Sequence, residues 1–167
     1  TEIYTLSLHD ALPISSLLAF PGNYGQTFID KELGIRGENS LKFSNYLGDV
    51  LDFAVELGFN EILIVGHIGK MIKVAGGMMN THSNNGDFRM EVFACYAALY
   101  GACREIIEEI LGCVTSEQVL DILQKEGIEK QVINKISEKA EYYINKRVGN
   151  KLRTKLIIYS NTKGILN

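Results

Sequence analysis

The chain has 167 residues, 46% of them hydrophobic, 22% charged and 9% aromatic, with a formal charge of −3. That is one domain's worth of length with enough apolar material for a sizeable core, and it excludes a collagen-like or disordered chain. No apolar run approaches the roughly 18 residues that a membrane-spanning helix needs, and 17 Lys and Arg against 20 Asp and Glu argue against a dominant nucleic-acid surface. Three cysteines without a CxxC pair point to reduced thiols in a cytoplasmic setting.

Thr1 to Ile14 reads TEIYTLSLHDALPI. The stretch resembles the in-frame translation of a sequencing adapter, and it lacks the basic start and apolar centre of a secretory signal. The expected organisation is a non-native segment over 1–14, then a native portion over 15–167 that begins inside a larger protein. Setting 1–14 aside leaves His67 and His82 as the histidines, Pro21 as the proline, and a charge of −1 once Glu2 and Asp10 are gone.

Ser16–Phe20 is a short apolar run and reads as a buried strand, with a tight turn or loop over Pro21-Gly22-Asn23-Tyr24-Gly25. A weaker helical stretch follows through Leu33 and is broken at Gly34 and Gly37. Leu47, Val50, Leu51, Ala54 and Val55 form one stripe of an amphipathic helix. Ser44 or Asn45 can cap its start, and Gly58 can end it. Glu61–Val65 reads as a strand buried on both faces, of the kind found in parallel sheets.

Gly66-His67-Ile68-Gly69-Lys70 then opens a loop or a helix. Asp87 can cap a further helix whose stripe is Phe88, Val92, Cys95, Tyr96 and Leu99, which would put Cys95 in the core. Helical turns around Ile106, Ile107 and Ile110 follow. Thr115 and Gln118 have capping-box spacing. A long helix carries Val132, Ile136, Ala140 and Ile144 on one face, Gly149 stops it, and Leu156–Tyr159 is a last strand. The pattern predicts an α/β fold, a mixed sheet with flanking helices. Strands are few for the helices, so sheet partners are expected to be missing.

The chemistry is concentrated in Gly66–Glu91, GHIGKMIKVAGGMMNTHSNNGDFRME. It follows a buried strand, and ligands of open α/β sheets sit beyond the carboxyl ends of strands. Gly66 and Gly69 would let a ligand approach the backbone, and amides at a helix start could receive an anion. A Walker A loop fails, because Ile64 and Met71 stand where Gly and Ser or Thr are needed, and the dinucleotide glycine fingerprint is absent. Each histidine either fixes its loop by hydrogen bonds or serves as a base or donor near neutral pH. No ligand spacing points to a metal. Asp87 is a helix cap or a catalytic group. Lys70, Lys73 and Arg89 are solvated cations or receivers of carboxylates.

GHIGKMIKVAGGMMNTHS followed by Asp87-x-Arg89-Met90-Glu91 resembles the CbiD family, the cobalt-precorrin-5B (C1)-methyltransferases of anaerobic cobalamin biosynthesis. Pro21–Gly25, Lys42–Gly48 and Ile158–Asn161 are similar to it as well, so the resemblance runs from Ser16 to Asn167, roughly the C-terminal half of the family's protein. Asn84-Asn85-Gly86 departs from it. The resemblance implies methyl transfer from S-adenosylmethionine to C-1 of cobalt-precorrin-5B, giving cobalt-precorrin-6A, with cobalt present only as part of the tetrapyrrole substrate. Such a displacement depends above all on holding the reactants in line.

The resulting expectation places His67, His82, Asp87 and Glu91 in catalytic roles, with His82, Asp87 and Glu91 orienting or deprotonating. Gly22, Asn23, Gly66, Gly69, Lys70, Lys73, Thr81, Ser83 and Arg89 are the expected contacts to donor or macrocycle. The partner is a small-molecule tetrapyrrole, with no nucleic acid, membrane or protein metal site, and the oligomeric state is left open. A non-catalytic tetrapyrrole- or nucleotide-binding fragment is the alternative.

Overall fold

A computed structural model describes residues 16–30 and 40–167, without the side chains of Asn23, Tyr24 and Gln26. The adapter-like segment 1–14 and the stretch holding Leu33, Gly34 and Gly37 lie outside the described residues. The elements in order are β1 (Ser16–Pro21), α1 (Gly22–Phe28), β2 (Ser40–Phe43), α2 (Leu47–Glu56), β3 (Glu61–His67), α3 (Ile68–Ala75), α4 (Arg89–Leu99), α5 (Arg104–Leu111), α6 (Ser116–Lys125), α7 (Glu129–Val148), β4 (Arg153–Ser160) and β5 (Gly164–Ile165).

The strands form one mixed sheet in the order β2-β1-β3-β4-β5. The pairs β1–β2, β1–β3 and β3–β4 are parallel, and β4–β5 is antiparallel. Alternation along each strand divides the side chains between two faces. Leu17, Ala19, Ile62, Ile64, Leu156 and Ile158 join the large core under α2, α3, α4, α6 and α7. Leu18, Phe20, Val65 and Tyr159 face the other way and pack with Phe28 and Ile29. The α/β expectation, with its mixed sheet and flanking helices, is what the chain builds.

Several local expectations are met. Helix α6 carries the capping box between Thr115 and Gln118, and Val132, Ile136, Ala140 and Ile144 are buried on α7.

Others are corrected. The turn expected over Pro21–Gly25 shrinks to Gly22, whose φ of 68° reverses the chain directly into α1. Neither Ser44 nor Asn45 caps α2; Tyr46 holds that position without a side-chain bond, and Asn45 is used elsewhere. On α4 the buried residues are Phe93, Ala94 and Ala97, while Cys95 and Leu99 are exposed. RMEVFACYAAL is apolar on several sides, so its periodicity did not single out a face, and the small alanines allow the closest packing. β2 and β5 were not foreseen; β2 is four residues long with no β-branched side chain, and β5 is two residues long.

Gly66 has a packing reason of its own. A Cβ there would lie 2.6 Å from Met71, which is fully buried, so the glycine admits Met71 to the core. Gly66→Ala is expected to lower stability by about 1–3 kcal/mol through overpacking, read as a fall in Tm.

Candidate functional site

Because β1, β2, β3 and β4 run in parallel, their carboxyl ends share one edge of the sheet. The chain leaves β1 for β2 on one side and returns to β3 on the other. The connections therefore diverge to opposite faces and open a crevice at that edge, the switch point of a doubly wound sheet. A cavity of about 300 Å3 lies there, lined by Pro21, Gly22, His67, Lys70, Tyr159 and Asn161. Two further hollows, of about 430 and 810 Å3, lie near α2 and the end of α7 and around the amino ends of β3 and β4. The smaller cavity is the one at the carboxyl edge.

His67 ends β3 and caps α3. Its Nδ1 accepts the Gly69 amide at 3.1 Å, so the ring proton sits on Nε2 and is donated to Glu117 Oε1 at 3.2 Å. Both ring nitrogens are taken. Burial pushes the imidazole pKa down and outweighs the opposing pull of Glu117, with Arg89 and Lys70 adding to the depression, so His67 is neutral near pH 7.

Glu117, in the first turn of α6, also accepts bonds from Ser160 Oγ at 2.8 Å, the Asn161 amide at 3.1 Å and Thr162 Oγ1. Burial raises its pKa, but the bonds from Thr162, Ser160, Asn161 and His67 together hold it below the usual value. Tyr159 stacks on Phe28, with ring centroids 4.1 Å apart, and meets the His67 ring edge-on. Its hydroxyl is buried with no hydrogen-bond partner among the described residues, and burial raises its pKa.

Lys70, in the first turn of α3, donates to Ser44 O at 2.8 Å and Asn45 Oδ1 at 3.0 Å. The same Asn45 oxygen accepts Thr81 Oγ1. Burial and neighbouring Lys73 lower the Lys70 pKa. Lys73 is buried at 5% exposure and points its ammonium at the carbonyls of Thr81 and Gly86, 3.4 and 3.2 Å away, with Asp87 at 4.0 Å. It therefore pins the loop after α3. Gly69 leaves room for His67 and Ser116.

The structure brings together His67, Lys70 and Gly22 on one cavity wall. Asn23 is the second residue of α1 beside them, with its side chain outside the described residues. His82, Ser83, Asp87, Arg89 and Glu91 do not line the cavity. His82 is exposed, with Nδ1 accepting the Asn84 amide, and Ser83 and Glu91 are exposed. Asp87 is held by the Arg89 guanidinium at 2.7 and 2.8 Å, which keeps its carboxyl below the usual range. Arg89 reaches on to Val114 O, just ahead of α6.

Sequence reasoning missed Glu117, Tyr159, Asn161 and Asn45. The available signals were the capping box, which puts Glu117 in a first helical turn, and the same carboxyl-end rule applied to the last strand. Among the described residues, no group of three His, Cys, Asp or Glu could hold a metal ion, and no helix is long and apolar enough to cross a membrane.

Residues 80–167, just over half the chain, match the family model described as CbiD, C-terminal domain. Three similar curated proteins are each named cobalt-precorrin-5B C(1)-methyltransferase. The one from Ruminiclostridium cellulolyticum is 40% identical over 144 residues, covering 86% of this chain and 38% of the relative. The Alkaliphilus oremlandii protein is 42% identical, covering 91% and 42%, and that of Thermoanaerobacter sp. is 35% identical, covering 96% and 44%. The chain thus spans less than half the length of these relatives. No solved structure matches it. On the family match and these identities, together with the glycine- and histidine-bearing segment at the sheet's carboxyl edge, the chain belongs to the CbiD family.

Proposed function

We propose that this chain is the carboxy-terminal part of an enzyme that methylates C-1 of cobalt-precorrin-5B to give cobalt-precorrin-6A, acting in the cytoplasm in anaerobic cobalamin biosynthesis. Beside the family membership, the observation that supports this reading is the cavity at the strand-order switch, with a cation and a neutral imidazole on its wall. S-adenosylmethionine, when bound, supplies an electrophilic methyl group on a sulfonium. Among the described residues, the Tyr159 hydroxyl has no partner and Gly22 leaves open space, which fits a ligand of that polarity.

Among the described residues, Lys70 uses two of its three N–H donors, on Ser44 and Asn45, and keeps one for a carboxylate of donor or macrocycle. His67, saturated at both nitrogens, shapes the wall. His82 has Nε2 unpaired among the described residues, so of the two imidazoles it is the one able to move a proton. Asp87 steadies Arg89, and Glu91 and Ser83 are free to contact the macrocycle. Thr81 and Lys73 hold the loop that presents them.

The test is a chimera joining residues 16–167 of this chain behind the amino-terminal part of the Ruminiclostridium cellulolyticum relative. Supplied with S-adenosylmethionine and cobalt-precorrin-5B, it is expected to yield a product heavier by one methyl group in mass spectrometry. A folded chimera that leaves the substrate unchanged would overturn the reading.

A further inference from the structure

Resting on the methyltransferase reading, we propose that the cavity between the ends of β1, β3 and β4 is the nucleoside subsite of the enzyme: it takes the adenosine end of the methyl donor and excludes the macrocycle.

Size gives the first argument. About 300 Å3 is the lower limit of pockets that enclose drug-sized ligands. A ring of four linked pyrrole-derived units with acidic side arms does not fit inside, whereas a purine nucleoside does.

Position gives the second. The cavity sits where the strand order reverses between β1 and β3, the place where doubly wound sheets receive nucleotides. The glycine there leaves space, because a Cβ at Gly22 would meet nothing within 4 Å among the described residues.

The third argument is an unmet need in the wall. Tyr159 is only 1% exposed, its ring packs against Phe28 and His67, and its hydroxyl has no partner among the described residues. A buried hydroxyl left unsatisfied costs stability, and a ring nitrogen or ribose hydroxyl would satisfy this one. Asn161 adds a side-chain amide with both donor and acceptor capacity, since the bond to Glu117 uses only its backbone N–H. Lys70 then stands ready for the carboxylate at the donor's other end.

Calorimetry on this chain with S-adenosylhomocysteine, adenosine and cobyrinic acid (a nucleotide-free corrinoid) tests the proposal, with melting curves as a control on folding. Adenosine is expected to compete with S-adenosylhomocysteine, and cobyrinic acid is expected not to displace adenosine. Tyr159→Phe should weaken S-adenosylhomocysteine about fivefold while leaving the ligand-free Tm unchanged or raised, because the hydroxyl it removes has no partner among the described residues. Asn161→Ala should weaken binding as well.

The subsite assignment falls if neither substitution changes affinity, if cobyrinic acid displaces adenosine, if the folded chain binds no adenosine, or if Tyr159→Phe lowers the ligand-free Tm. Methyl transfer by the chimera would leave the methyltransferase reading standing in those cases. The converse, adenosine bound through Tyr159 by a chain whose folded chimera transfers no methyl, would keep the nucleoside site and remove the reaction.

Discussion

Glu117→Ala is expected to lower the unfolding free energy by about 3 kcal/mol, the largest effect of any single substitution at the site. One half-buried carboxylate accepts bonds from His67, Ser160, Thr162 and the Asn161 amide. Bonds to a charged acceptor contribute about 1.5–3 kcal/mol each, and four on one group do not add in full. The loss should be read as a fall in Tm and in faster amide exchange of Ser160–Lys163, whose turn is organised by this carboxylate.

The pH profile checks the same cluster. The folded pKa of Glu117 is lowered, so its stabilisation is present above the unfolded value of about 4.5 and is lost as pH falls through the folded value. His67 acts in the same direction at higher pH. Its folded pKa lies below the unfolded 6.5, so stability begins to fall below that pH as the unfolded chain takes up the proton first. His67→Asn should remove the first decline and Glu117→Ala should flatten the second. A profile of Tm against pH that is identical in all three proteins would refute this account of the cluster.

Lys73→Met is expected to destabilise the fold by about 2–3 kcal/mol. The ammonium serves two backbone carbonyls and faces Asp87 from a nearly buried position. Methionine keeps the length of the side chain and leaves those acceptors unpaired. Hydrogen exchange should localise the loosening to residues 78–87, the segment carrying His82. Glu91→Ala is the comparison: Glu91 is exposed, and its loss should stay within about 0.5 kcal/mol. Equal melting temperatures for Lys73→Met and the parent chain would show that the loop is held by other means.

Lys73, His67 and Glu117 also mark how far the sequence could be read. Lys73 stood among the cations expected to receive ligand carboxylates, and spacing alone gave no sign that the loop would close back over it. His67 was open to two readings, and the structure saturates both of its nitrogens. Glu117 was visible only as part of a capping box. Local patterns do report local facts, so the helices of α2, α6 and α7 and the buried strand β3 were legible. Where apolar residues surround a helix, as on α4, or where a strand is short, as in β2 and β5, the pattern holds too little contrast to choose a face or an element.

The sequence by itself determined the α/β class, the stripes and caps of its strongest helices, and the family to which the chain belongs, because each is written in neighbouring residues or in a long ordered string of them. Only the tertiary structure decided the site. His67 meets Glu117 across 50 positions, Glu117 meets Ser160 across 43, and Lys70 meets Asn45 across 25. Those distances are closed by the register of parallel strands and the return of helices between them. Which residues share the carboxyl edge is therefore a property of the assembled sheet, not of any segment.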